Sequence, residues 1–179
     1  MSKNVTQNQL HRLLGTGALV MAVILLVGAG LLAKGAQFAN TQVKNQLVQE
    51  RISFPAAASP GLSATEFPGL QQYGGQAVDN GVKAKAYSDE FIWVHMMKAS
   101  ANKTYAEISA ASMANPTDQK LAGLKGMLFQ GDMLRSSLLT AYAFSVLGMI
   151  AGYALIVCLI GAAILLLGSL VSLTRAARV

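Results

Sequence analysis

The residues best equipped for chemistry lie in one run, Tyr87-Ser88-Asp89-Glu90-Phe91-Ile92-Trp93-Val94-His95-Met96-Met97. Imidazole and thioether groups suit Cu(I), so His95, Met96 and Met97 raise the question of a copper site. On a helix, neighbouring residues point about 100° apart, and three in a row cannot converge on one ion. Asp89 or Glu90 could orient His95 only through a bent or non-helical backbone. The other histidine, His11, lies beyond an apolar run long enough to cross a membrane. His95 is therefore read as a structural or surface residue. Elsewhere there is no Ser/His/Asp order, phosphate-binding glycine loop, CxxC or HExxH, and Gly74-Gly75 marks a turn. The expectation is a non-enzymatic protein with no catalytic, cofactor-binding or metal-ligating residues.

The elements that must carry this run are set by two uncharged stretches. Leu13–Ala33 has 21 residues without a charge, and Ser136–Thr174 has 39. At 1.5 Å per residue the first spans roughly 30 Å, the thickness of a hydrocarbon core. The second would reach about 58 Å, so its first turns are expected to stand outside the bilayer under the outer domain or a partner. Only 12% of the 179 residues are charged, about half the share of a soluble domain. No charge lies within either stretch, which argues against a proton or ion pathway through one copy.

Charge distribution then orients the chain. All eight acidic residues fall between the two stretches, where nine Lys and Arg from Lys44 to Arg135 nearly balance them. Lys3 and Arg12 precede the first stretch, and Arg175 and Arg178 follow the second. Basic ends without acids are the positive-inside pattern, so both termini are expected in the cytoplasm of a bacterium and the middle outside its plasma membrane. The net charge of +6 is accounted for in this way and calls for no nucleic acid. A cleaved signal peptide is the competing reading of the first stretch. Its apolar core is long for one, and neither Leu31-Leu32-Ala33 nor Gln37-Phe38-Ala39 is an A-x-A site, so an uncleaved anchor is expected. The lone cysteine, Cys158, lies in the second span, which leaves the outer segment without a disulfide.

The resulting fold class is an all-α membrane protein whose two transmembrane helices extend into a small extracytoplasmic helical domain with a Pro/Gly-rich loop. The divisions are a cytoplasmic start at 1–12, a first span at 13–33, the outer domain at 34–137, a long helix containing the second span at 138–173, and a cytoplasmic end at 174–179. The first helix is expected to run on to Arg51, with Phe38, Val43, Leu47 and Val48 on one face. Prolines and glycines from Ile52 to Gln76 break regular structure. Within them Phe54 and Phe67 each precede a proline, a pattern that holds them extended as pegs against a helical body. Ala77–Ala99 reads as a helix weakened in its middle by Gly81. Thr104 with Glu107 fits a capping box, and that helix ends before Asn115-Pro116. A last helix starts at Thr117-Asp118 with Leu121, Leu124, Leu128, Met133 and Leu134 inward.

Small residues mark close approach. Ala141, Ser145, Gly148 and Gly152 form one stripe, and Gly15, Ala18, Ala22 and Ala29 another. Packing of the two spans on each other is the first reading, and homo-oligomerisation the second. The candidate interaction residues are this stripe with Phe54, Phe67, Tyr73, Tyr87, Phe91, Trp93 and His95. Their expected partners are membrane lipids and other membrane or envelope proteins. An accessory or scaffold role in a complex is the leading function. The alternative is a module for lipid or small ligand, framed by the Pro/Gly-rich loop and the Tyr87–Met97 helix.

Several segments resemble an actinobacterial family of two-transmembrane-helix membrane proteins. They are Ile52-Ser53-Phe54-Pro55, Tyr73-Gly74-Gly75-Gln76, Ala86-Tyr87-Ser88-Asp89-Glu90-Phe91-Ile92, Lys103-Thr104-Tyr105-Ala106-Glu107 and Phe129-Gln130-Gly131 with Leu134-Arg135-Ser136-Ser137. The resemblance implies two-span topology and an envelope location. Members often bear a ring-opening-dioxygenase label, which requires a metal-ligand set. The outer segment here has one histidine.

Overall fold

The structure, a computed structural model, describes the backbone of residues 2–178 and the side chains of residues 7–177. The side chains of Lys3 and Arg178, part of the charge pattern above, lie outside the described residues. The chain is all-helical, with two very long helices. Helix α1 covers Ser2–Glu50 and α5 covers Gln119–Arg178. Between them come α2 (Gly81–Ala86), a π-helical segment (Tyr87–Ile92), α3 (Trp93–Ala99) and α4 (Tyr105–Ala114). Among the described residues there is no strand, only one antiparallel bridge between Ser53 and Ala77.

Both α1 and α5 are long and apolar enough to cross a membrane. Only 11% of the most apolar window of each is buried, so neither is the wrapped core helix of a globular domain. The chain divides into two compact units, one joining α1 up to Phe38 with α5 from Leu147, the other spanning Ala39–Val146.

In the first unit the two helices run antiparallel. The hydroxyl of Ser172 donates to the His11 carbonyl at 2.9 Å, and that of Ser169 to the Gly15 carbonyl at 2.7 Å. A Cβ on Gly15 would meet Leu173 Cγ at 2.7 Å, and one on Gly161 would meet Leu25 Cδ1 at 3.2 Å. The inward residues of α1 follow a three-four spacing through Gly15, Ala18, Ala22, Leu25 and Ala29; opposite them are Ala162, Leu165, Ser169 and Ala176. This is the seam of an antiparallel coiled coil, made of small residues that let the backbones approach. Continued along the unit, the register sets Leu13–Ala33 against roughly residues 153–173. The apolar run of α1 thus matches only part of the 39 uncharged residues of α5; residues 136–146 belong to the second unit.

In the second unit α1 continues to Glu50, as its sequence pattern predicts, and stops where Arg51 takes a left-handed φ of 52°. Its inward line is Ala39, Val43 and Leu47. Phe38 and Val48, expected inward, are 63% and 51% exposed. The helix expected from Ala77 starts instead at Gly81, because the Asn80 side chain caps it by accepting the Lys83 N–H at 3.0 Å. Val78 stays extended, and its N–H pairs with the Ile52 carbonyl at 2.9 Å. Gly81 is no weak middle. It lies in the first turn of α2, where any side chain would collide with Ser145 of α5. The capping box holds at α4, with both Thr104 and Glu107 engaged. Asp118 caps α5 by accepting from Lys120 and Leu121. Along α5, Leu128 is fully buried, but Met133 and Leu134, expected inward, are 53% and 39% exposed.

Candidate functional site

The loop between α1 and α2 has more order than its prolines predict. Pro68–Tyr73 forms a 3-10 turn. The Gln71 side chain donates to the carbonyls of Leu62 and Phe67 and accepts from the Ala58 N–H, so one glutamine stitches three points of the loop. Gly74 and Gly75 are both required at its return. A Cβ on Gly74 would meet the Ala57 backbone nitrogen at 2.6 Å, and Gly75 has a φ of 72°.

Phe54 and Phe67 are the pegs that their prolines suggest, at 2% and 4% exposure. They enter a continuous series of rings. Tyr73 stacks on Phe54 at 5.3 Å, Phe54 meets Tyr87 edge-on at 5.0 Å, and Tyr87 meets Phe91 at 4.8 Å. Phe91 touches Phe67 at 5.6 Å and His95 at 4.5 Å, and His95 lies parallel to Phe67 at 5.1 Å. Six of the seven aromatic or imidazole candidates are therefore joined to one another. The ladder lies between the Pro/Gly-rich loop and the Tyr87–Met97 helix and joins the two by ring contacts. Burial raises the Tyr87 hydroxyl above the usual tyrosine range.

Among the described residues His95 has no carboxylate partner. Its Nδ1 hydrogen-bonds the Phe91 carbonyl at 2.8 Å, one turn back. Met96 turns away into the core at 3% exposure, its sulfur covering Gly131 of α5. Met97 packs against the same cluster as Met96, with Ile108 and Leu128, while His95 stays exposed. Among the described residues no group of three His, Cys, Asp or Glu could hold a metal ion.

Trp93, the remaining candidate, belongs to a second cluster. The Arg135 guanidinium lies 4.3 Å from the Trp93 ring centroid. Its Nε donates to the Ser88 carbonyl at 3.2 Å, and it pairs with Asp89 at 3.4 Å and Asp132 at 3.6 Å. The π-helical segment makes this possible. Its wider turn sends the Trp93 N–H to the Ser88 carbonyl, which accepts from Arg135 as well. Lys85 completes the cluster with a 2.6 Å ion pair to Asp89. Burial opposes ionisation of Asp89, but hydrogen bonds and charge from Lys85, with Arg135 and Ser88, hold its carboxyl below the usual range. The cluster ties the helical run to α5, and its Asp132 and Arg135 also line an open depression of about 500 Å³ with Ser136 and Thr140.

The small-residue stripe is used within the chain. Ala141 is 8% exposed in the core with Val43, Leu47 and Leu138, Ser145 presses on Gly81, and Gly148 is buried. Gly152 is the exception, half-buried with open space at its Cβ position.

The face of α5 opposite its inward line of Leu128, Gly131 and Leu138 was not singled out by the sequence pattern. Ala122, Gly126, Phe129, Met133, Ser136, Thr140 and Phe144 fall on it at helical spacing, and all are exposed. Phe129 is 49% exposed, Met133 53% and Phe144 51%. Beside Gly126 a depression of about 390 Å³ is lined by Tyr105, Ala122, Lys125 and Phe129. A separate groove of about 320 Å³ lies between the end of α1 and α5, with Gln46, Gln49, Glu50 and Ser137 among its walls. Comparison with family models, curated proteins and solved structures finds no match to the chain.

Proposed function

We propose that the chain is a non-enzymatic, two-span integral membrane protein of the bacterial envelope that serves as an accessory subunit of a membrane complex. In this reading residues 34–137 stand outside the plasma membrane, both termini are cytoplasmic, and the helical head docks on another membrane or envelope protein. The two apolar helices, with basic and acid-free flanks, support the membrane placement and the orientation of the termini. The observation that carries the docking role is the outward stripe of α5, where Phe129 and Met133 are half exposed one turn apart next to the shelf at Gly126. Large apolar groups flanking a glycine on one helix face are the anchors and the hole that a partner helix fills. The aromatic ladder supports the same reading, because a rigid head presents that face without paying an ordering cost on binding.

Photocrosslinking tests this. A benzoylphenylalanine at position 129 or 133 is expected to give a discrete adduct in native membranes, and one at exposed Val82 is expected to give none. An adduct of twice the chain's mass would make the partner a second copy. Absence of adducts at both positions, with a monodisperse monomer in mild detergent, would overturn the docking reading. The groove at Gln46 and Ser137 favours a second reading, a small polar ligand on the head. Retention of such a ligand in native mass spectrometry, lost on Ser137→Leu, would select it.

A further inference from the structure

We infer that the helix pair carries a binding site for one anionic phospholipid at the end that holds His11 and Arg175. A groove of about 450 Å³ lies there between α1 and α5. Leu14, Leu167 and Val171 wall it, and Gly168 opens it, since a Cβ at Gly168 would meet nothing within 4 Å. The polar end is formed by His11 and Arg175. Ser172, also on the wall, has its hydroxyl committed to the His11 carbonyl at 2.9 Å. The groove is an open, largely apolar surface bordered by a guanidinium and an imidazole.

Charge selects the occupant. All eight acidic side chains of the chain lie between Glu50 and Asp132, so this unit contributes no Asp or Glu side chain. Arg175 is exposed and has no ion-pair partner among the described residues. Arg12 adds a second positive charge next to His11 in sequence. A phosphate without a compensating cation, attached to an acyl chain, satisfies both ends of the groove. A zwitterionic headgroup places its own cation beside Arg175 and gains less. The site rests on the membrane reading, since only a bilayer supplies such a ligand at this level of the helices.

Native mass spectrometry of the full chain in mild detergent, with equal phosphatidylglycerol and phosphatidylcholine, tests the site. The wild type is expected to retain phosphatidylglycerol preferentially. Arg175→Gln should lower that retention about fivefold, the effect of one basic residue at an anionic surface. Gly168→Leu fills the groove without altering charge and should abolish the preference. Gly30→Leu, another glycine with open space at its Cβ position, should leave it unchanged. Equal retention of the two lipids by the wild type would overturn the site, as would wild-type behaviour of Arg175→Gln. Equal loss in Gly30→Leu would overturn the location. Alkaline carbonate extraction separates the underlying reading: release of the chain from membranes sinks the membrane assignment itself, whereas retention without lipid preference sinks only this site.

Discussion

Asp89 accepts from Lys85 and Arg135, each on a different helix, and its ionised form is favoured in the folded chain. A carboxyl with a depressed folded pKa stabilises above its unfolded value, and that stability is lost as pH falls through the folded value. Asp89→Asn is therefore expected to destabilise the head by about 1 kcal/mol at neutral pH, the scale of a partly exposed ion pair with charged hydrogen bonds. The gap between variant and wild type should close on acidification below the aspartate range, as followed by denaturant titration at several pH values. A constant gap would show that packing, and not charge, sets the effect. Trp93 is the sole tryptophan, so its fluorescence reports directly on Arg135 stacked above it. Gly81 makes a sharper steric statement. Gly81→Ala should cost roughly 1–3 kcal/mol by overpacking against Ser145, and Ser145→Gly in the same chain should recover part of it. Additive losses in the double variant would place the strain elsewhere.

At the scale of elements, the antiparallel seam of α1 and α5 is where membrane physics is most demanding. Lipid gives little hydrophobic reason for apolar helices to associate, so small residues and hydroxyl-to-carbonyl bonds must hold them. Ser169→Ala removes the 2.7 Å bond to the Gly15 carbonyl but keeps the volume small. Its expected cost is about 0.6 kcal/mol. Gly15→Ile pushes the helices apart at Leu173 and should cost several times more, measured by unfolding in the same detergent. Similar small losses for both would mean the helices do not approach as closely as this seam. The π-helical segment shows a different economy. One widened turn lets Tyr87, Phe91 and His95 share the ladder while Ser88 and Trp93 face Arg135.

For the whole molecule, the proposed two-span topology makes a direct labelling prediction. Cys158 is the only thiol, so Cys158→Ala gives a clean background. A cysteine placed at Ala64, in the exposed part of the loop, should react with an impermeant maleimide added to intact cells. One placed at Ala177 should react only after lysis. Reversed reactivity would invert the proposed orientation and leave the helix pair intact.

Much of this protein follows from local pattern. Two charge-free runs can only be long helices, and the spacing Val43 to Leu47 carries α1 past its apolar run to Glu50. Caps at Thr104 and Asp118 depend on side chains reaching their own backbone within three residues, so they too can be read directly. Phe54 and Phe67 could be recognised as pegs because proline restricts the residue before it. The inward face of α5 was legible only in part. Leu128 follows from the spacing of Leu121 and Leu124, but apolar residues then occupy both sides of the helix, and periodicity alone cannot rank Gly131 above Met133 and Leu134. That choice belongs to Met96, whose sulfur seals Gly131, and to Gly81, which admits Ser145. Both contacts join residues far apart in the chain. Small-residue stripes likewise announce a close approach without naming the neighbour. The fold turns Ala141 into the core with Val43 and sets Ser145 against Gly81, neighbours that only the tertiary structure brings to it.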